Sequence, residues 1–147
     1  MLNPHYVTGF VDGEGCFSIS VGRVRFRVPE VRLIFEIELR EDDEPILQEI
    51  QKTLGCGYIY RLEYDRYKKW RPHVKFKVSS FKDIRGKIIP FFKKYPPQAK
   101  KKKQFELFCQ VAEMIDNEEH KTLEGIDKIY LLREQHRDSL YALEAHV

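Results

Sequence analysis

Several features are scarce in this chain of 147 residues, and each scarcity excludes a class of protein. Its three cysteines, Cys16, Cys56 and Cys109, are odd in number and widely spaced, so they indicate neither a disulfide framework nor a zinc ribbon. The histidines show no metal-ligand spacing either. No apolar run approaches the roughly 18 residues of a membrane span, and no signal-peptide pattern opens the sequence. We therefore expect an intracellular protein, from a prokaryotic or archaeal cytoplasm or from an organelle.

A large excess of either charge is also missing, because 26 Lys and Arg face 23 Asp and Glu and give a net charge of +3. The charges are nevertheless unevenly placed. Residues 23–40 and 61–77 mix basic with aromatic side chains, 93–103 hold six lysines, and acidic residues gather at 41–44 and 113–119. Uneven charge points to a nucleic-acid partner better than net charge does.

Hydrophobic residues make up 42% of the chain, enough for one folded domain over residues 1–147. Two periodicities predict the elements: strands at 16–24, 31–39, 57–64 and 71–78, and helices from Pro4 to the 12–14 region and at 45–54, 80–89, 100–117 and 122–136. We expect Pro90 to end the short third helix, and the glycines at 13 and 15 to end the first in a left-handed conformation. The order α-β-β-α-β-β-α-α-α predicts an α+β fold, in which helices cover one face of an antiparallel sheet. The other face is polar, basic and aromatic, and must meet water or a ligand.

Residues 3–21 carry the most unusual pattern. Gly9 inside the first helix costs about 1 kcal/mol relative to alanine, and Gly13 follows one turn later on the same face. Such a pair of small residues allows another backbone to come close, so we expect a helix–helix interface there. Asp12 and Glu14 lie at the C-terminal end of this helix, where the helix dipole disfavours carboxylates. A second copy of the helix would bring four carboxylates together as oxygen ligands for a metal ion.

The nine residues VTGFVDGEG at 7–15 resemble the LAGLIDADG motif of the homing endonucleases encoded in introns and inteins. Gly9, Asp12, Glu14 and Gly15 match the motif, and strand-like CFSISV follows at once, as in that family. The alternative is an ordinary amphipathic helix with a glycine-rich turn. No second copy of the motif occurs in the sequence.

Two later stretches resemble the same family. In AKKKKQFELF at 99–108 a lysine stands four residues before a helix phenylalanine, and this spacing from Phe105 selects Lys101. The lysine run leaves that register open by a residue or two. Residues 120–126 resemble the entry to the family's C-terminal helix. One departure is the end of the second strand, where the family often carries a polar, water-organising side chain and Glu38 to Arg40 offer no clean match.

The resemblance implies the homing-endonuclease fold, with a saddle-shaped sheet, and a homodimer that cleaves both strands of a long pseudo-palindromic DNA site and leaves 3′ overhangs. Glu14 and the Gly13 carbonyl would bind Mg²⁺; Mn²⁺ is expected to substitute, and Ca²⁺ to bind without supporting cleavage. Glu14, Lys101 and Asp12 form the expected catalytic group, Asp12 in a structural role. Gly9, Gly13 and Asp12 form the expected dimer interface.

The outward strand residues are the candidates for DNA contact, because a two-stranded ribbon fits a major groove and its Arg, Lys and Glu side chains can contact base edges. The alternative is an ordinary solvated sheet face. The candidates are Ser18, Ser20, Arg23, Arg25, Arg27, Glu30, Arg32, Glu36, Glu38, Tyr60, Arg61, His73, Lys75 and Lys77.

Two other functions stay open on the same fold. One is a maturase that assists splicing of its own intron RNA, and the other is a non-catalytic DNA-binding regulator. Glu14 and Lys101 favour the nuclease, because binding alone requires neither residue.

Overall fold

The computed structural model describes residues 1–22, 30–63 and 71–144, and in the last helix it describes side chains only to residue 137. Three of the predicted DNA contacts, Arg23, Arg25 and Arg27, lie outside the described residues.

Four antiparallel strands form one sheet in the order β1-β2-β4-β3. The strands are β1 (Gly15–Gly22), β2 (Glu30–Arg40), β3 (Tyr58–Leu62) and β4 (His73–Val78). Period-two alternation places large apolar residues on one face, which is buried. The alternating apolar residues of β1, β2 and β4, such as Phe17, Phe35 and Phe76, lie on that face, which confirms the period-two pattern of these predicted strands.

Helices cover the apolar face, as predicted for an α+β fold. They are α1 (Pro4–Glu14), α2 (Glu44–Leu54), α3 (Phe81–Asp83), α4 (Ile89–Lys94), α5 (Lys101–Asp116) and α6 (Leu123–Glu144). The side chain of Asn3 caps α1 by accepting from the His5 N–H at 2.9 Å, and Gly55 ends α2 with a left-handed φ of 76°. Among the described residues, no helix combines the length and apolarity that crossing a membrane requires.

Three predicted helix ends are wrong, and one of them belongs to the last helix, which was predicted to end at residue 136 and continues to Glu144. The other two errors concern a proline and a glycine. Helical structure continues past Pro90, because a π turn at Ile84–Ile88 joins α3 to α4 and the Ile89 N–H bonds the Ile84 carbonyl five residues back. Pro90 then stands in the first turn of α4, where its missing N–H costs little. The third error is at α1, whose C-terminal glycine is extended and not left-handed: Gly15 has φ −85° and ψ 167°.

Glycine is required at position 15 because there is no room for a Cβ, and not because of its backbone dihedral angles. A Cβ there would lie 2.7 Å from the Val11 Cγ1 and 3.0 Å from the Val11 carbonyl oxygen. Its N–H bonds that same carbonyl, so α1 passes into β1 without an intervening loop. This tight junction fixes Glu14 where the helix meets the sheet.

The core is centred on phenylalanines from the sheet and the helices. The ring of Phe17 in β1 lies 5.1 Å from Phe35, 5.4 Å from Phe92 and 5.1 Å from Phe105, measured between centroids. These contacts join β1 to β2, α4 and α5. Because β1 follows Glu14 directly, the same packing fixes the position of the carboxylate at the helix end.

Candidate active site and nucleic-acid interface

Helix α1 has two faces of different character. Val7, Thr8 and Val11 are buried against the rest of the chain. The opposite face has the i, i+3, i+4, i+7 spacing of one helical stripe and consists of Tyr6, Gly9, Phe10 and Gly13. At either glycine a Cβ would meet nothing within 4 Å among the described residues. The predicted helix–helix interface is therefore an open surface in a single copy of the chain.

Two side chains of α1 hold the segment that leads into α5. Thr8 donates from Oγ1 to the Tyr95 carbonyl at 2.7 Å. One turn later, the Asp12 carboxylate accepts from the backbone N–H of Gln98 at 2.9 Å and of Ala99 at 3.4 Å. These bonds span more than 85 residues of sequence, so they bring the end of α1 to the start of α5.

Asp12 also has an electrostatic role at that start. Helix α5 opens with lysines at its positive end and has no side-chain N-cap. A carboxylate at this place offsets both the lysines and the helix dipole. Its described hydrogen bonds are thus structural ones within one chain, which accords with the structural role expected for Asp12.

Glu14 is the last residue of α1 and is exposed, with no basic residue in the last turn of its own helix. It stands two residues after Asp12, just as Lys101 stands two residues after Ala99. The Asp12 bonds therefore place Glu14 and Lys101 at the same end of the molecule. The Gly13 carbonyl belongs to the last helical turn, where no helical N–H follows to pair with it.

Burial distinguishes Lys101 from the rest of the lysine run. Lys101 is half-buried, whereas Lys100, Lys102 and Lys103 are exposed. Lys102 lines a separate groove beside Phe105. Lys101 is thus the member of the run whose side chain packs toward the interior.

His136 lies close to Lys101, and the sequence patterns did not single it out. It is 3% exposed on α6, and its Nε2 has no hydrogen-bond partner among the described residues. Burial lowers the pKa of His136, a hydrogen bond to the Phe17 backbone acts in the opposite direction, and the Lys101 ammonium lowers the pKa further. Its helical spacing after Ile129 and Leu132 was the available signal that it faces inward.

The lowered pKa of His136 predicts that stability falls as the medium becomes acidic. The unfolded chain titrates near the ordinary value of 6.5, and the folded chain titrates below it. Between those values the unfolded state binds the additional proton, so the free energy of unfolding decreases as pH falls below about 6.5. Above that pH both states hold a neutral imidazole, and this destabilisation is absent. Urea midpoints at several pH values between 5 and 8 measure the slope.

One variant isolates this contribution. His136→Gln should show a shallower dependence on pH than the parent. Equal slopes for the parent and His136→Gln would contradict the assignment.

The outward face of the sheet holds nearly all of the predicted DNA contacts that the structure describes. Residues that pair directly on antiparallel strands point to the same face of the sheet. The pairing register therefore shows which predicted DNA contacts lie on the outward face. They are Ser18, Ser20, Glu30, Arg32, Glu36, Glu38, Tyr60, His73, Lys75 and Lys77.

Arg61 was predicted to point outward with them, and this is wrong. It pairs with inward Val74 in the sheet, so it leaves β3 on the face that carries the helices. Its guanidinium lies 2.8 Å from the Glu41 carboxylate and 3.5 Å from that of Glu63. Arg61 thus fastens the edge strand to the turn after β2. Strict alternation from Tyr60 would have excluded it and selected Tyr58.

The centre of the outward face is a cluster of ion pairs that joins β2 to β4. The Lys75 Nζ lies 3.4 Å from the Glu36 Oε2 and 3.6 Å from the Glu38 Oε1. The His73 Nδ1 lies 3.1 Å from the other oxygen of Glu38. Partial burial lowers the pKa of Lys75, but Coulombic attraction to Glu36 and a hydrogen bond that the Lys75 ammonium donates to Glu36 outweigh it, so the pKa is raised overall. We call these four residues the central cluster.

The predicted DNA contacts do not include every outward residue, because the same alternation also places Ile34, Arg40 and Tyr58 on this face. Tyr58 is 79% exposed. The Arg40 guanidinium forms a two-point contact with Asp42, at 2.8 and 3.3 Å. The face therefore offers aromatic and basic groups beyond those predicted.

The described part of a single copy contains no group of three or more His, Cys, Asp or Glu side chains that could hold a metal ion. Glu14 and the carbonyls at the end of α1 are the oxygen donors at this place. Such donors suit a hard cation if other ligands complete the set.

Comparison with known proteins identifies relatives of this arrangement. A family model described as "LAGLIDADG endonuclease" matches residues 7–112. The chain is 33% identical over 142 residues to a probable intron-encoded endonuclease 2 of Neurospora crassa. It is 34% identical over 125 residues to an uncharacterized 50.9 kDa protein in ND4 intron 1 of Podospora anserina. These alignments cover 95% and 82% of this chain but only 29% and 26% of the relatives.

Solved structures with the same fold contain DNA. The meganuclease I-SmaMI bound to uncleaveable DNA matches with a TM-score of 0.81 and 30% identity over 90% of this chain. The I-LtrWI LAGLIDADG homing endonuclease bound to target DNA matches with a TM-score of 0.82 and 31% identity over 91% of this chain. Both matches cover 44% of the solved chain. The present chain therefore spans less than half of these structures and about a quarter to a third of the curated relatives.

Proposed function

Because the chain belongs to the LAGLIDADG endonuclease family, we propose that it is a site-specific homing endonuclease that cleaves both strands of double-stranded DNA as a homodimer. The observation that carries the proposal is the pair of Asp12 bonds, which bring the Glu14 end of α1 to the Lys101 end of α5. A DNA-binding face alone would need neither residue there.

The open stripe on α1 supports the homodimer. Gly9 and Gly13 leave room for a second backbone, and Tyr6, 51% exposed, lies beside them. In a symmetric pair the same stripe would meet itself, which a two-fold axis requires. The two Glu14 carboxylates would then lie close to the axis, between the two sheets.

In the proposed reaction each Glu14 and the Gly13 carbonyl would hold a divalent cation, which we propose to be Mg²⁺ in the cell. When bound, such a cation activates water and stabilises the oxygen that leaves phosphorus. The α1–β1 junction fixes the backbone of Glu14 and therefore limits the directions in which its carboxylate can point. The half-buried Lys101 places a positive charge beside the phosphate without a cost of reorganisation.

Hydrolysis across the minor groove would leave 3′ overhangs. The outward sheet faces would occupy the flanking major grooves and select the site. We propose Mg²⁺ as the working ion, with Mn²⁺ able to replace it and Ca²⁺ able to bind only. I-SmaMI has been solved bound to uncleaved DNA in the presence of calcium ions, which is consistent with this proposal.

A plasmid library with a randomised insert tests the function. With Mg²⁺ we expect the chain to linearise a small subset of the plasmids and to leave 3′ overhangs. With Ca²⁺ we expect it to bind the same subset without cleavage. Retention without cleavage in either ion would instead identify a DNA-binding regulator. Selective binding of intron RNA, with restored splicing and no DNA cleavage, would identify a maturase.

Replacement of Lys101 by methionine is expected to slow cleavage far more than it weakens binding. Removal of preorganised charge at a reacting phosphate costs roughly a hundredfold or more in rate. One lysine contributes little to an interface with many basic groups, so the affinity should change only slightly. Single-turnover rates and binding curves with Ca²⁺ measure the two effects separately.

The matched control is Lys103→Met, which removes an exposed lysine from the same helical turn. It should cleave at nearly the parent rate. A large loss of rate for Lys103→Met or Lys100→Met, with little loss for Lys101→Met, would shift the catalytic assignment to that lysine.

A further inference from the structure

The central cluster differs from the other ion pairs of the outward face. Arg32 pairs with Glu30, two residues away on its own strand, and these side chains are 63% and 56% exposed. Lys75 and Glu36 instead lie on different strands, and their side chains are only 22% and 27% exposed. A cross-strand pair held by neighbours on both sides is preorganised, whereas the exposed pair on one strand has freedom to rearrange.

Carboxylates are an unexpected feature at the centre of a surface proposed to bind DNA. Phosphate oxygens are acceptors and carry negative charge, so Glu36 and Glu38 oppose any contact with the backbone. In the major groove, however, cytosine presents its N4 amino group and adenine its N6 amino group as donors. Carboxylates at this place therefore penalise DNA that lacks an amino group opposite them.

The positions of the acceptors on the base edges favour cytosine over adenine opposite Glu36. Adenine places its N7 acceptor beside the N6 amino group, so the second oxygen of a carboxylate would face a lone pair. Cytosine has no such acceptor beside N4, and its partner guanine presents O6 and N7 to a lysine. Glu36 and Lys75 thus match the two halves of one C·G base pair.

Two further contacts fix the cluster and its place. Glu38 contacts Lys75 with one oxygen and His73 with the other, so it holds the lysine from the second side. Glu36 lies directly opposite Cys16 in the sheet, and Cys16 is two residues beyond Glu14. The cluster therefore lies at the end of the sheet that adjoins Glu14.

We propose that Glu36 and Lys75 read one C·G base pair in each half-site, near the position of cleavage, and that Glu38 positions Lys75 for this contact. The proposal rests on the proposed function, because it assumes that the outward face enters the major groove. It adds the identity of a base pair and the residues that select it.

Selection of duplexes from a randomised DNA library, with Ca²⁺ present, tests the inference. The parent should enrich cytosine at one symmetric pair of positions near the centre of the site. Glu36→Gln should change the preference there toward adenine by roughly tenfold or more, because glutamine reads the N6 and N7 of adenine together. Lys75→Met should relax the preference at the same position, and Glu38→Gln should weaken it without a change to adenine.

Glu49→Gln is the matched control, since it breaks an exposed ion pair with Lys52 on α2, outside the predicted DNA contacts, and should leave this position unchanged. Circular dichroism checks the fold, and Lys75→Met still tests the position if Glu36→Gln does not fold. A defined site whose base preferences are unaffected by Glu36→Gln and Lys75→Met would overturn the inference and leave the proposed function intact. A library with no enriched or cleaved site would overturn both.

Discussion

Replacement of Glu14 by glutamine is expected to abolish cleavage of both DNA strands and to leave specific DNA binding nearly intact. The exposed carboxylate stands at the negative end of α1, with no basic residue in the last turn to compensate it. A divalent cation supplies that compensation in the proposed site. Glutamine keeps the shape and the hydrogen-bonding capacity but removes the charge that holds the ion.

Cleavage rates with Mg²⁺ and affinities with Ca²⁺ measure the two properties. Affinity in the absence of divalent cations should be unchanged or tighter for Glu14→Gln, because two negative charges leave the region of the phosphates. Full cleavage with Mg²⁺ by this variant would refute the metal site and leave only a DNA-binding fold.

Asp12→Asn is the informative comparison, because its carboxylate is engaged within one chain. Asparagine can still accept a hydrogen bond, but it loses the charge that faces the positive end of α5. Hydrogen bonds that involve a charged group contribute about 1.5–3 kcal/mol, and partial exposure places Asp12 toward the lower limit. We therefore expect a lower unfolding midpoint for Asp12→Asn and an unchanged or slightly higher midpoint for Glu14→Gln, which removes a carboxylate from the negative end of α1.

Much of the fold was predictable because local patterns determine it. Strands with a strict period of two, such as β2, and helices with marked caps, such as α1 after Asn3, left few alternatives. The motif at 7–15 made the family recognisable, and the phenylalanine spacing indicated Lys101. The helix that passes Pro90 was mispredicted because proline ends helices in general, whereas a π turn here moves it into a first turn.

The contacts that assemble the site were not predictable, because they join distant parts of the sequence. Nothing near Asp12 specifies that it bonds the N–H groups of Gln98 and Ala99. Arg61 looked like one more basic residue in a basic stretch, although strict alternation from Tyr60 excludes it from the outward face; its contact with Glu41 was not predictable. The spacing of His136 indicated an inward side chain, but only the packing of α6 against β1 and α5 brings it close to Lys101.

Replacement of Gly9 by leucine is expected to abolish both dimerisation and cleavage while the single chain remains folded. The single chain should remain folded because a Cβ at Gly9 meets nothing within 4 Å among the described residues. Leucine also forms helix better than glycine by roughly 0.8 kcal/mol, so α1 should not be weakened. In a symmetric pair, however, two leucines would hold the helices apart and move the Glu14 carboxylates from their shared position.

Analytical ultracentrifugation gives the oligomeric state, thermal unfolding gives the stability, and the plasmid assay gives the activity. Gly86→Leu is the matched control, because a Cβ at Gly86 also meets nothing within 4 Å in the described chain, and this glycine lies in the π turn, away from the stripe on α1. It should remain dimeric and active. A parent chain that is monomeric and still cuts both strands would contradict the proposed homodimer, as would a Gly9→Leu variant that dimerises and cleaves normally. Loss of dimerisation and activity with unchanged folding, in Gly9→Leu alone, would assign the stripe on α1 to the interface, because no contact within the single chain is disturbed.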